Sequence, residues 1–352
     1  MSSNTERKID AAKESKLAYK LRVLKDSSFK KLDEVITLCH QQSGKSKAAI
    51  LLDMVHCLRK FGAGYYDYLI FQMWTLTEAQ RDTYLTRFRS KKLIEFVNDK
   101  SYSHIFDNKD EMNTTFRDYI GREFLIVADS TRDDIKDFFS KREKIFCKMR
   151  DLGYGDGAEK LYTKDFESAD AFCDYVYEKG FATLEDVIEN HPVLAEIYPD
   201  AVNTMRMVTL IGDDGKPYLL YAVLKFGRDG RIVDNYGVQS PIDLETGKYV
   251  FPAHPGDSCD HRSFTHHPTT GKQLIGLQVP YFEEAKAMVL KAAMVVPQVR
   301  YVGWDVAITP TGPAIIEGNN YTAHDFVQLP FQTPDKIGTM PLIKSIVPSF
   351  NP

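Results

Sequence analysis

The stretch Val302–Asn320, VGWDVAITPTGPAIIEGNN, decides how this chain folds. Pro310 and Gly312 stand where a four-residue turn from Thr309 to Gly312 requires them, so the segment reads as two strands of a β-hairpin. Its arms are apolar and fit a buried sheet. Glu317 and Asn319 are two apart, which sends both side chains to one face, and Asp305 falls opposite Glu317 to within one residue of register. Three oxygen ligands therefore converge, a set that suits Mg²⁺, which shares its waters with substrate phosphates.

On the residues alone a second reading stands beside this one, in which Asp305 and Glu317 are ordinary polar positions on a half-exposed hairpin. The apolar padding favours the metal. Two carboxylates held together in a buried sheet repel and lose solvation unless a cation or a proton lies between them.

At 352 residues the chain can bury a large core and divides into two or three subdomains. Its net charge of −4 and pI near 6.2 exclude nucleic-acid binding as the main purpose, because neutralising phosphates takes a concentrated basic field. The beginning, MSSNTERKIDAAKESKLAYK, is charged and lacks the apolar core of a signal peptide, and no later stretch reaches the length of a membrane span. The expected location is the cytoplasm. Cys39, Cys57, Cys147, Cys173 and Cys259 are scattered, with no paired spacing for zinc or a disulfide framework, and read as reduced thiols in or near the core.

From Ser2 to Leu93 the pattern is helical, with SKAAILLDMVHCLRKFG placing apolar residues at i, i+3 and i+4. The aromatic run FGAGYYDYLIFQMW reads as core packing. From Phe124 the chain alternates: a strand in EFLIVADS, a helix in RDDIKDFFSKR, a strand in KIFCKMRD, then the loop LGYGDG. From Thr183 strands dominate, and NTMRMVTLIGDDGKPYLLYAVLKFGRDGRIVDN predicts an antiparallel meander of three. The segment PYFEEAKAMVLKAAMVV predicts one amphipathic helix leading into the hairpin. The resulting class is α+β.

Basic residues lie where an anion could use them. Lys148 sits within the apolar strand IFCKMR, directly before a loop with Gly153, Gly155 and Gly157. It reads equally as a phosphate grip and as a lysine extending from a strand edge. Arg206, in NTMRMVTL, offers a fork to phosphate oxygens or to a structural carboxylate. Other nucleotide signatures fail. QSGKSK has Cys39 where a P-loop needs its first glycine and no strand before it. FGAGYY lacks the third glycine of a dinucleotide fingerprint, and the paired kinase motifs are missing.

Taken in order, Lys100 in NDKSYSHIF, Lys148 with its glycine loop, LEDVIENHPVLAEIYPDAVNTMRMVTL and VGWDVAITPTGPAIIEGN resemble the ATP-grasp superfamily. They look most like its sugar-transfer-associated branch, related to α-L-glutamate ligases. The resemblance runs from about Tyr66 to Gln328. It implies an ATP-grasp fold, two α+β subdomains sandwiching ATP, behind an N-terminal helical region. The expected boundaries are 1–95 for the helical region, 96–182 for the lid subdomain and 183–352 for the C-terminal subdomain with the hairpin.

Carried over residue by residue, the resemblance implies that Lys100 and Lys148 contact ATP phosphates and that Gly155 and Gly157 belong to the closing loop. Tyr154 and Asp156 depart there from the small-residue loop of relatives. Glu185, Asp186, Val187 and Ile188 would line the adenine edge as a hinge strand beginning at Leu184. Arg206 would steady the γ-phosphate, making Arg206 and Lys148 the catalytic cations, and Asp305, Glu317 and Asn319 would hold Mg²⁺. The implied activity is an ATP- and Mg²⁺-dependent carboxylate–amine ligase acting through an acylphosphate, in polysaccharide or glycoconjugate biosynthesis. A phosphotransferase with a hydroxyl acceptor and a non-catalytic nucleotide-binding protein are the alternatives. The expected partners are a small carboxylate and an amine, sugar-linked in this branch; neither their identity nor the oligomeric state is fixed by sequence. His254, His261, His266 and His267 fit no standard zinc spacing and read as polar loop positions, and His324 reads either as a substrate-side group or as a surface histidine.

Overall fold

A computed structural model describes residues 29–149, 158–231, 234, 237–260 and 262–352. The chain forms two compact units, Met1–Asp82 with Thr86–Phe88, and Thr83–Leu85 with Arg89–Pro352.

The described part of the first unit is helical, with helices Phe29–Ser43, Lys47–Phe61, Tyr65–Ile70 and Glu78–Arg81. Ser46 caps the second by accepting from the Ala49 amide, and Gly62 ends it at φ 63°, a left-handed conformation that costs glycine little. Arg81 forks onto both carboxylate oxygens of Asp53 at 2.7 and 2.8 Å, and the Tyr68 hydroxyl donates to the same group. That shared carboxylate ties three helices together.

The second unit holds two antiparallel sheets. The smaller has the order β1-β4-β2-β3, with β1 Phe124–Ile126, β2 Lys144–Lys148, β3 Ala158–Tyr162 and β4 Thr183–Asp186. Ile145, Cys147 and Leu184 point to one face and pack with Ile135 and Phe138 of the helix Arg132–Ser140 and Phe172, Cys173 and Val176 of the helix Ala169–Lys179. Period-two alternation therefore sends Lys148 and Glu185 to the other face.

The larger sheet has the order β10-β9-β5-β6-β7-β8: β5 Thr204–Ile211, β6 Pro217–Phe226, β7 Val238–Ile242, β8 His254–Pro255, β9 Tyr301–Thr309 and β10 Gly312–Asn319. One face carries Met205, Met207, Leu224, Val238, Trp304, Val306 and Ile315, packed against Phe282, Ala285 and Val289 of the helix Phe282–Ala293. Apolar surface removed from water in this interdigitated layer stabilises the unit at about 25 cal/mol per Å². On the opposite face Val208, Leu210, Val223 and Tyr301 pack with Leu93, Ile94 and Ile343, and Arg206, Lys225 and Asp305 stand beside that second apolar layer.

Two expectations are revised. The strand at Leu184 ends at Asp186, so Val187 and Ile188 follow it as irregular chain; the acidic run there gives no apolar alternation to extend pairing. Of the loop histidines, His254 and His267 are buried. The third strand of the meander, around RIVDN, falls largely outside the described residues, as do Gly153, Gly155, Gly157 and His261.

Candidate functional site

The hairpin of β9 and β10 pairs Gly312 with Thr309 and continues to Ile315 opposite Val306, both on the apolar face. Beyond this the register shifts, and Glu317 stands opposite Asp305. Ile316 is the extra residue. Without this bulge Glu317, two after Ile315, would join the apolar face; with it, Glu317 turns onto the face of Asp305. Asn319 stays beside Glu317, its amide donating to Glu317 Oε1 at 3.3 Å.

On the neighbouring strand β5, Arg206 lies opposite Asp305. Its Nε donates to Asp305 Oδ1 at 2.6 Å and its Nη2 to Oδ2 at 2.8 Å, while Nη1 reaches Thr322 Oγ1 at 3.3 Å. Lys225 of β6, also buried, approaches Asp305 Oδ1 at 3.4 Å and Asp234 Oδ1 at 3.9 Å. Asp234 in turn accepts from the Thr204 amide and hydroxyl.

The two carboxyls of the hairpin are driven apart. Burial raises the Asp305 carboxyl, yet the Arg206 and Lys225 charges outweigh it and hold it at about 2. Glu317, although its side chain reaches solvent, is pushed up, first by the protein that strips water from its carboxyl and then by the charge of Asp305. An ionised Glu317 beside an ionised Asp305 is thus short of positive charge. A hard divalent cation fits this donor set of two carboxylates and an amide oxygen. Among the described residues no group of three or more His, Cys, Asp or Glu side chains gathers to hold a metal ion, and the hairpin itself brings only two carboxylates together.

The second charged group lies on the small sheet. Lys148 Nζ donates to Glu185 Oε2 at 2.7 Å, and Arg122 Nε donates to the same oxygen at 2.8 Å. Asn113 holds Oε1 at 3.1 Å. With both its oxygens bonded by protein groups, Glu185 is positioned as the anchor of Lys148. Burial raises its carboxyl, but Lys148 and Arg122 bring it down to about 2. Arg122 also donates through Nη1 to the carbonyl of Ile315 at 2.8 Å, just before the bulge, so it ties the lysine sheet to the strand that carries Glu317. Asp186 is engaged by Arg142. Lys100 is exposed on a short turn of helix, and its segment is anchored at Asn98, whose amide donates to the carbonyls of Tyr301 and Asn320 at 3.0 Å each.

Sequence reasoning missed Lys225, Arg122 and Asn113. Lys225 carried the same signal as Arg206, a cation alternating with apolar strand residues. Arg122 and Asn113 had none, since their partners come from distant segments. His267 is structural, with Nε2 against the Gly227 carbonyl at 2.7 Å and Nδ1 against Thr270. His266 is exposed beside Thr265, and His324 is half-buried.

Residues 174–337 match the family model of the sugar-transfer associated ATP-grasp proteins. The matched segment covers less than half of the chain. That segment contains Glu185, Arg206, Lys225, Asp305, Glu317 and Asn319, whereas Lys100, Arg122 and Lys148 precede it. Among solved structures, the chain is similar to D-alanyl-alanine synthetase A of Vibrio cholerae at 15% identity and TM-score 0.41, over 69% of this chain and 65% of that one. It is also similar to N5-carboxyaminoimidazole synthetase of Staphylococcus aureus, solved with ADP, at 11% identity and TM-score 0.39, over 63% and 46%. A third is D-alanine–D-alanine ligase of Bacillus anthracis, at 13% identity and TM-score 0.40, over 73% of each chain. The chain spans less than two thirds of the length of the first two. No curated protein matches it. No helix among the described residues is long and apolar enough to cross a membrane.

Proposed function

We propose that the protein is an ATP- and Mg²⁺-dependent ligase that activates a carboxylate as its acylphosphate and joins it to an amine. The reading is supported above all by one observation: within the segment that matches the ATP-grasp family model, Arg206, Asp305, Glu317 and Asn319 stand together on one face of the large sheet. Asp305, Glu317 and Asn319 would hold Mg²⁺, which supplies positive charge to the β and γ phosphates. Arg206 and Lys225 present fixed donors where negative charge develops during transfer of the γ-phosphoryl group. Lys148, held by Glu185, faces the same task from the small sheet. Lys100 is assigned to the phosphates and Glu185 to Ile188, with Gly155 and Gly157, to the nucleotide's surroundings.

In the first step a carboxylate oxygen of the substrate attacks the γ-phosphorus and ADP leaves. In the second the amine attacks the acyl carbon, the bond from carbon to the phosphate oxygen breaks, phosphate departs and the amine nitrogen loses a proton. The donors that neutralise charge serve both steps, so one cluster suffices. A sugar-linked substrate is in keeping with the family's description.

Incubating the protein with Mg-ATP and pools of amino acids and sugar acids, while measuring phosphate release and product mass, tests this reading. The expected outcome is ADP, free phosphate and a product lighter than its two parts by one water. A stable phosphorylated product without free phosphate would instead identify a hydroxyl acceptor.

A further inference from the structure

The polar face of the large sheet continues past Lys225. Lys225 on β6 pairs with Gln239 on β7, and Gln239 pairs with His254 on β8. Residues directly opposite share a face, so the three side chains form one row, spanning on the order of 10 Å at the usual strand spacing. Lys225 reaches Asp305, which puts the row on the face of the carboxylate cluster and away from Leu224 and Val238 in the apolar layer.

The far two members of this row have hydrogen-bonding capacity that no described residue uses. His254 is 1% exposed; its Nδ1 lies 2.7 Å from the Pro255 carbonyl, and its Nε2 has no partner among the described residues. A carbonyl at Nδ1 fixes the proton there, which leaves Nε2 as an acceptor. Burial holds this imidazole below the ordinary histidine range, so it stays neutral. Gln239 is 4% exposed, and its side-chain amide hydrogen-bonds to no described residue. Buried polar groups in folded proteins are almost all paired. The buried, unpartnered Nε2 of His254, beside a Gln239 amide that no described residue engages and in one row with the lysine that touches Asp305, is capacity kept for a ligand.

The segment following β10 closes over this row. Thr322 meets Arg206, the Ala323 carbonyl accepts from the Tyr221 hydroxyl at 3.0 Å, Asp325 accepts from Ser258 at 2.9 Å, and the Phe331 ring stands 5.6 Å from that of His254. One end of the row is cationic, through Arg206 and Lys225. The other offers an acceptor nitrogen within the field of Asp325.

We propose that Gln239 and His254 form the specificity subsite for the amine substrate, binding its end remote from the reacting nitrogen. The ligand class is a small polar amine, such as an amino sugar or an amino acid, that presents a hydroxyl or N–H donor to His254 Nε2 on the order of 10 Å from the Lys225 strand position. This rests on the ligase reading, since the row is a substrate site only if chemistry occurs beside Asp305.

The test uses the full-length protein labelled with ¹⁵N-histidine, with the His254 signals assigned by comparison with His254→Leu. Mg²⁺ and AMP-PNP are added first, then a pool of L-amino acids, D-glucosamine or D-galactosamine in separate arms. At least one arm shifts the His254 Nε2 resonance. Gln239→Met weakens binding of that probe at least tenfold, leaves Mg-AMP-PNP affinity unchanged, and keeps the ligand-free melting temperature, because the Gln239 amide bonds to no described residue. With nucleotide bound, an unmoved His254 signal in every arm, or unchanged probe affinity in Gln239→Met, overturns the subsite alone. Failure of Mg-AMP-PNP itself to bind overturns the ligase reading beneath it.

Discussion

Arg206 and Asp305 face each other across β5 and β9, with Nε and Nη2 donating to the two carboxylate oxygens at 2.6 and 2.8 Å. The fork keeps Asp305 ionised inside a sheet where it would otherwise be costly, and it sets one end of the three-residue ligand group. Asp305→Asn removes a charge whose partners, Arg206 and Lys225, remain buried. Breaking such a pair costs roughly 3–5 kcal/mol, so the melting temperature should fall along with turnover.

Glu317→Gln separates the two roles. Turnover should drop at least about a hundredfold, the scale for removing one electrostatic stabiliser of a transition state. Stability without ligand should hold or rise, because the protein around its carboxyl and the charge of Asp305 already disfavour the ionised glutamate. Thermal melts and ATP turnover on one purified variant check both halves, and a melting temperature lowered like that of Asp305→Asn would contradict the assignment.

Acid should find the small sheet first. Glu185 has its carboxyl lowered from the ordinary glutamate range to about 2, so its folded form contributes stability above that ordinary range, and the contribution is lost as pH falls toward 2. Asp305 adds loss in the same direction. Glu317 works oppositely: its raised carboxyl contributes below the ordinary range and loses that contribution as pH rises through its shifted value. Urea melts from pH 7 to pH 3 should show wild type losing stability faster than Glu185→Gln, which starts lower by roughly 3–5 kcal/mol because Arg122 and Lys148 are left uncompensated.

Gly303 lies beneath Arg206. A Cβ there would stand 2.5 Å from Thr322 Oγ1 and 3.0 Å from Arg206 Nη1. Gly303→Ala should cost about 1–3 kcal/mol from overpacking and weaken turnover by shifting the arginine, measured by chemical denaturation and phosphate release.

Much of this was legible in the sequence where local rules decide it. The hairpin followed from Pro310 and Gly312, and strand periodicity brought Glu317 to within one residue of Asp305. The bulge at Ile316 was not, because Ile315, Ile316 and Glu317 read the same with or without it; only packing of Ile315 against the helix Phe282–Ala293 distinguishes the registers. Lys148 was visible as a cation in an apolar strand, but its hold by Glu185, Arg122 and Asn113 depends on contacts spanning up to 72 positions. Such partners leave no periodic trace. His254 likewise read as a loop residue because a two-residue strand is too short to show alternation.

The measurement closest to the central claim is calorimetric titration of AMP-PNP into wild type and Glu317→Gln, each with Mg²⁺ and with a chelator. A site whose carboxylates hold the cation gives wild type at least about tenfold tighter binding with Mg²⁺, a difference of about 1.4 kcal/mol, and Glu317→Gln nearly equal affinities in the two conditions. Equal affinities in wild type with and without Mg²⁺ would contradict the metal role of Asp305, Glu317 and Asn319.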